Sequence, residues 1–129
     1  MRAITIMQPW ASLIMSGTKR FETRHWYTSH RGIIAIHSGK SREFIDYVDG
    51  PLLDLLPETL PLGCVLGTAN LVGCHRMTTD IIQKVGFTER ALGNWEIGRF
   101  AWELSELELF DDPIPARGMQ GIWEWEPQP

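Results

Sequence analysis

With 129 residues and 14.7 kDa, the chain is long enough for one domain with a buried core. No apolar run approaches the ~20 residues of a membrane-crossing helix, which excludes a helical membrane protein. A net charge of −4 argues against bulk coating of nucleic acid, but the cations are unevenly spread. Residues 19–42 hold six basic side chains against Glu22 alone, whereas residues 43–129 hold five against fifteen acidic ones. A basic region on an acidic body suits a single nucleotide or a short strand; solvated turns are the alternative explanation.

Residues 2–7 alternate apolar and polar side chains and read as a first strand. This opening lacks the apolar core and cleavage site of a secretory leader, so a cytoplasmic location is expected. Pro9 suits a first helical position and opens a short helix over 9–16, with Trp10, Leu13 and Ile14 on one inward face. Gly17 supplies the left-handed residue that ends it. Residues 20–24 form a second strand on which Glu22 and Arg24, two apart, share a face. A loop rich in aromatics and histidines covers 25–32. Residues 32–37 are apolar nearly throughout and predict a strand buried on both faces. Ser41 takes an N-cap position for a helix carrying Phe44, Ile45 and Val48 and stopping at Gly50-Pro51.

The stretch 51–61 is a proline-punctuated connection with one helical turn. Residues 63–74 give the longest strand, whose glycines mark bends or bulges. Cys64 and Cys74 both fall on it, too far apart to bridge, and are expected as free thiols of a reducing compartment. Thr78 or Thr79 caps a short helix through Ile81, Ile82 and Val85, and residues 86–97 read as irregular surface loop. Arg99–Leu104 alternates as a strand that Leu107–Phe110 continues or follows; 113–118 turns the chain, and 120–125 closes it. Five to six short strands with two or three short helices predict an α+β fold. The expected form is a small mixed β-barrel in one domain, 1–129, with helices covering a cleft.

Residues 8–26 contain both sides of that cleft. Gly17-x-Lys19-x-x-Glu22-x-Arg24, with Gln8-Pro9-Trp10 just upstream, resembles the ASCH domain family of the PUA-like superfamily. Three further blocks extend the resemblance over the chain: Gly32–His37 followed by Ser38-Gly39-Lys40, then Gly98–Leu104, then Gly118–Trp123. The resemblance implies a PUA-like barrel that binds RNA or a modified nucleotide. ASCH domains occur in transcriptional coactivators and as free-standing bacterial and phage proteins. One branch hydrolyses N4-acetylated cytidine with a lysine, a threonine two residues before the motif arginine, and a carboxylate from elsewhere. By position the lysine is Lys19 and the arginine Arg24. Glu22 stands at the threonine's place, with Thr23 beside it on the opposite strand face.

Two function classes follow, with a protein-interaction domain as a third. In a binding module, Lys19 and Arg24 address phosphate, Glu22 accepts a base amine and Trp26 stacks on a base face. In a small hydrolase acting on a modified nucleoside or on RNA, the catalytic pair is Lys19 and Glu22. Glu22 is then general base to a water, and Lys19 stabilises developing negative charge. Each residue also has a structural reading: a solvated turn for Lys19, a mutual ion pair for Glu22 and Arg24, and a hydrophobic plug for Trp26. Trp10 lies in the motif and counts both as core and as a ligand contact. His37 and Ser38, at a strand end, line the cleft or are satisfied there. Gln8 and Gln120 read a base edge with their amides or cap backbone groups. Cys74-His75 is adjacent rather than spaced, and His25 and His30 lack a cysteine pair, so no metal or cofactor is expected.

Overall fold

A computed structural model describes residues 1–127. Its strands are β1 (Arg2–Ile6), β2 (Phe21–Arg24), β3 (Gly32–Ser38), β4 (Cys64–Arg76), β5 (Phe100–Pro115) and β6 (Ile122–Glu124). They form one mixed sheet in the order β2-β5-β4-β3-β1-β6, curled into a half-barrel. Three short helices accompany it: α1 (Trp10–Met15), α2 (Thr79–Lys84) and α3 (Phe87–Ala91), with a 3-10 helix at Gly50–Leu55. The α+β mixed barrel expected from the sequence is the fold observed. Among the described residues no helix is long and apolar enough to cross a membrane.

The apolar side chains of β1 and the nearly continuous apolar run of β3 explain why these strands lie at the centre of the packing. They run parallel with Ala3 opposite Ala35 and Ile4 opposite Ile36. Ile4, Ile6, Ile34 and Ile36 face the concave side, where Ala11, Ile14 and Met15 of α1 close over them. Ala3 and Ala35 face the other side, against Val65, Trp123 and Trp125. From Ile34 to Ser38, β3 is buried throughout, as the continuous apolar run predicts; half-buried Gly32 and Ile33, at 61% exposure, depart from it. The β4–β5 ribbon shifts register at Val65/Gly67, Thr68/Asn70 and Leu71/Gly73. Two of these shifts end on a glycine, and each adds local twist that curls the ribbon. Residues 107–110 continue the 99–104 strand without a break. Cys64 and Cys74 both sit on β4 as free thiols.

Four local expectations are corrected. Pro9 precedes α1 as its cap, after a cis Gln8–Pro9 bond, and is not the first helical residue. Residues 42–47 make successive i→i+3 turns (Ile45 N to Arg42 O, 3.1 Å; Tyr47 N to Phe44 O, 2.9 Å) and no α-helix. Ser41 Oγ accepts from Glu43 N only two residues on, at 3.1 Å, closing a tight turn before an i→i+4 ladder starts. Within 86–97, α3 replaces the expected loop. Its five residues are too few to display a period, and it is held by tertiary burial of Glu89 and of Leu92, which packs on Leu13 and Val48. Finally, β6 begins at Ile122, so Gln120 lies in the exposed turn before it.

Candidate functional site

The curled sheet leaves a gap between its edge strand β2 and the strand β1 that faces it. Gly17, at φ +85°, reverses the chain at the end of α1. Its N–H donates to Ile14 O, and Lys19 N then donates to Leu13 O at 3.0 Å, so Lys19 enters β2 directly beneath the helix. Glu22 and Arg24 then project together, as the period of two requires. Arg24 Nε lies 2.9 Å from Glu22 Oε2, and Arg24 Nη2 donates to Thr5 O of β1 at 2.7 Å. One guanidinium therefore neutralises the carboxylate and spans the gap.

Above this bridge opens a cleft of about 640 Å³. Its floor is Lys19, Glu22 and Arg24; one wall carries Trp10, Phe44 and Tyr47; the opposite lip carries Gly93, Asn94 and Arg99. Trp10 packs tilted against Phe44 and Tyr47, with ring centroids 5.0 and 5.3 Å apart. Tyr47 is nevertheless 58% exposed, an aromatic face held at the cleft mouth. Lys19 is 1% exposed. Among the described residues its Nζ makes one hydrogen bond, to Phe21 O at 2.5 Å. Burial lowers the ammonium's pKa below the ordinary lysine range, while the charges of Glu22 and Glu89 pull it back up. Glu89, also buried, accepts from Arg20 N through Oε1, while its Oε2 has no partner, and neither has Trp10 Nε1. Partly satisfied charges thus lie in one cleft with an aromatic wall.

The structure brings Trp10, Lys19, Glu22 and Arg24 together and leaves the other candidates outside the cleft. Gln8 is fully buried: Nε2 donates to Ser12 Oγ and Pro61 O, and Oε1 accepts from Ser12 N, so its amide anchors α1. Trp26 is half-buried outside the cleft and packs edge-on against the core residue Trp102, with ring centroids 4.7 Å apart. His37 bonds Thr5 Oγ1 and Ala116 O, and Ser38 Oγ donates to Cys64 O; both side chains are satisfied inside the sheet. Gln120 is exposed and lines no part of the cleft. Phe44, Tyr47, Gly93, Asn94 and Arg99 were not legible as site residues. The spacing of Phe44 and Tyr47, two aromatics three apart between Gly39 and Gly50, is the one signal the sequence offers.

The fold is a small half-barrel with a cleft beside its edge strand, and comparison with known proteins places it. The ASCH domain family profile matches residues 4–113, so the chain belongs to the ASCH domain family. It is 36% identical over 80 residues to activating signal cointegrator 1 of Homo sapiens and equally to that of Mus musculus, covering 55% of this chain. It spans only 14% of the length of those relatives. Among solved structures, the ASCH protein of Zymomonas mobilis has a TM-score of 0.58 at 18% identity, covering 88% of this chain and 72% of that one. A point mutant of the same protein has a TM-score of 0.58 at 16% identity, with 88% and 74% covered. These structures share the fold.

Proposed function

We propose that the cleft binds one nucleotide unit, either free or within a short single-stranded RNA. The observation that carries this reading is one cleft lined by an aromatic wall, with Tyr47 exposed and Trp10 half-buried, and by a floor of buried Lys19 and Glu22 with half-buried Arg24. A flat ring slides against the wall while its polar edge meets a donor from Lys19 and an acceptor from Glu22, the pairing that a base edge offers. Arg99, at the lip, addresses a phosphate outside the cleft. The volume falls in the range of pockets that enclose small organic ligands, about 300–1,000 Å³. ASCH kinship supports the same ligand class.

Titrations of mononucleosides, mononucleotides and short single-stranded RNAs, followed by calorimetry, test the proposal. Base–aromatic stacking is worth about 1–3 kcal/mol per base, so Tyr47→Ala is expected to weaken binding roughly 5- to 150-fold. Equal affinity in wild type and Tyr47→Ala contradicts the reading.

A buried lysine and a carboxylate lining the same cleft support a second reading, a hydrolase acting on an acylated nucleoside or on RNA. Glu22 is then general base to a water, and Lys19 stabilises the developing oxyanion. Mass-spectrometric turnover of N4-acylated cytidine and of short RNAs, run beside Glu22→Gln, separates the two. Product from the wild type alone makes the protein an enzyme; retained ligand without product leaves a binding module. Absence of both points to a protein partner.

A further inference from the structure

Between α3 and β5 the chain crosses the lip of the cleft as a strap, Leu92-Gly93-Asn94-Trp95, and at Gly93 it comes down on Lys19. A Cβ added at Gly93 would lie 3.0 Å from Trp95 Nε1, 3.2 Å from Thr23 Cγ2 and 3.3 Å from Lys19 Nζ. All three neighbours are tied. Trp95 Nε1 donates to Glu89 O at 2.8 Å, Thr23 Oγ1 accepts from Asn94 N at 3.2 Å, and Lys19 Nζ donates to Phe21 O at 2.5 Å. Arg99 adds two further ties, from Nε to Asn94 O at 3.0 Å and from Nη2 to Thr23 O at 3.4 Å. Gly93 has ordinary negative φ, so glycine is needed here for space and not for backbone conformation.

We propose that Gly93 is a positioning residue of the cleft: its bare backbone lets the strap seat on Lys19, keeping that ammonium dry, fixed and directed at the ligand. The proposal rests on the reading of the cleft as a ligand site. Without the strap's weight on it, a lysine held by one carbonyl gains water, which stabilises the charged form, and rotamers, which blur its direction. With the strap seated, the remaining N–H groups of Nζ are satisfied only by something in the cleft, which must therefore present an acceptor such as a carbonyl oxygen or a ring nitrogen. The charged groups around Lys19 are Glu22 with its partner Arg24 on β2, Glu89 on α3, and Arg99 at the lip, tied to the strap and to Thr23. The aromatic wall contributes Trp10, Phe44 and Tyr47 and no charge.

The chain has three lysines, Lys19, Lys40 and Lys84, and the last two are exposed. Protein labelled with 13C-lysine therefore gives three Cε signals, assigned with Lys40→Arg and Lys84→Arg and titrated without any ligand. Gly93→Ala is expected to move the Lys19 midpoint upward by about one unit, toward the other two. It is also expected to weaken nucleotide binding about tenfold, although residue 93 offers no side chain to a ligand. An unchanged Lys19 midpoint in folded Gly93→Ala overturns the proposal. If Gly93→Ala does not fold, Trp95→Phe serves instead, since it removes the indole bond to Glu89 O without adding atoms. The same rise is expected, and an unchanged midpoint there overturns the proposal equally. The titration needs no ligand, so a wild type that binds no nucleotide defeats the reading of the cleft while leaving the Lys19 result to stand or fall alone.

Discussion

The carbonyl of Ala116 only accepts, so the bond to it at 2.8 Å places the proton of neutral His37 on Nε2. Nδ1 must then accept from the Thr5 hydroxyl, 3.1 Å away, and Thr5 Oγ1 in turn accepts from Trp123 Nε1 at 3.0 Å. Protonating Nδ1 reverses the Thr5 hydroxyl and strands its hydrogen, and burial opposes the charge as well. Desolvation accordingly lowers the His37 pKa, with the bond to Ala116 O acting the other way. Because the folded pKa lies below the unfolded one, stability is full above about pH 6.5. It is lost as pH falls from there through the lower folded value. Denaturant unfolding at pH 7, 6 and 5 should show this loss in wild type and a smaller loss in His37→Gln. Identical losses would contradict it. The Glu22–Arg24 pair gives a second residue-scale expectation. Arg24→Met leaves a buried carboxylate unpaired and should cost roughly 3 kcal/mol, more than the double change with Glu22→Leu. Equilibrium unfolding of the two variants decides it.

At the scale of elements, the short ones set the site and the long ones supply its rigidity. The pairing of Glu22 with Arg24 was legible because strand period alone puts them on one face, and α1 was legible from Trp10, Leu13 and Ile14. The polar residues at strand ends misled. Gln8, His37 and Ser38 are the side-chain types that line clefts, yet burial turned Gln8 to Ser12 and Pro61 O and the other two to bonds within the sheet and its flanking turn, and nothing in their spacing reveals which partners exist. Glu89 and Gly93 were invisible for another reason, since α3 is too short to show a period and the strap matters only through what it touches. Trp26 followed the motif into a loop, but its ring found Trp102. Trp26→Ala should therefore lower stability by about 2–4 kcal/mol and leave nucleotide affinity unchanged, as thermal unfolding and calorimetry on one sample would show. Lost affinity at full stability would return Trp26 to the ligand.

Across the whole molecule, the incomplete closure of the sheet is what makes a site. Six strands leave β2 and β1 without a backbone ladder between them, and the gap is bridged by one guanidinium instead. The body around it is acidic, with a net charge of −4, and Arg24 is already neutralised by Glu22. Binding should thus lean on the aromatic wall and the floor more than on phosphate attraction. With one or two phosphates contacted at about −0.7 each for single strands, log K against log salt is expected to fall with a slope near −0.7 to −1.4. A steep slope, near −4 or beyond, would mean that a broad basic surface does the binding.

The most direct test of the central claim is photo-crosslinking of a short RNA carrying one 4-thiouridine, with the adducts mapped by peptide mass spectrometry. Adducts are expected on the peptides containing Trp10 and Phe44–Tyr47, lost when unmodified nucleotide is added in excess. Adducts confined to other exposed aromatics, such as Tyr27 or Phe87, or no adduct from an RNA that the protein retains, would contradict it.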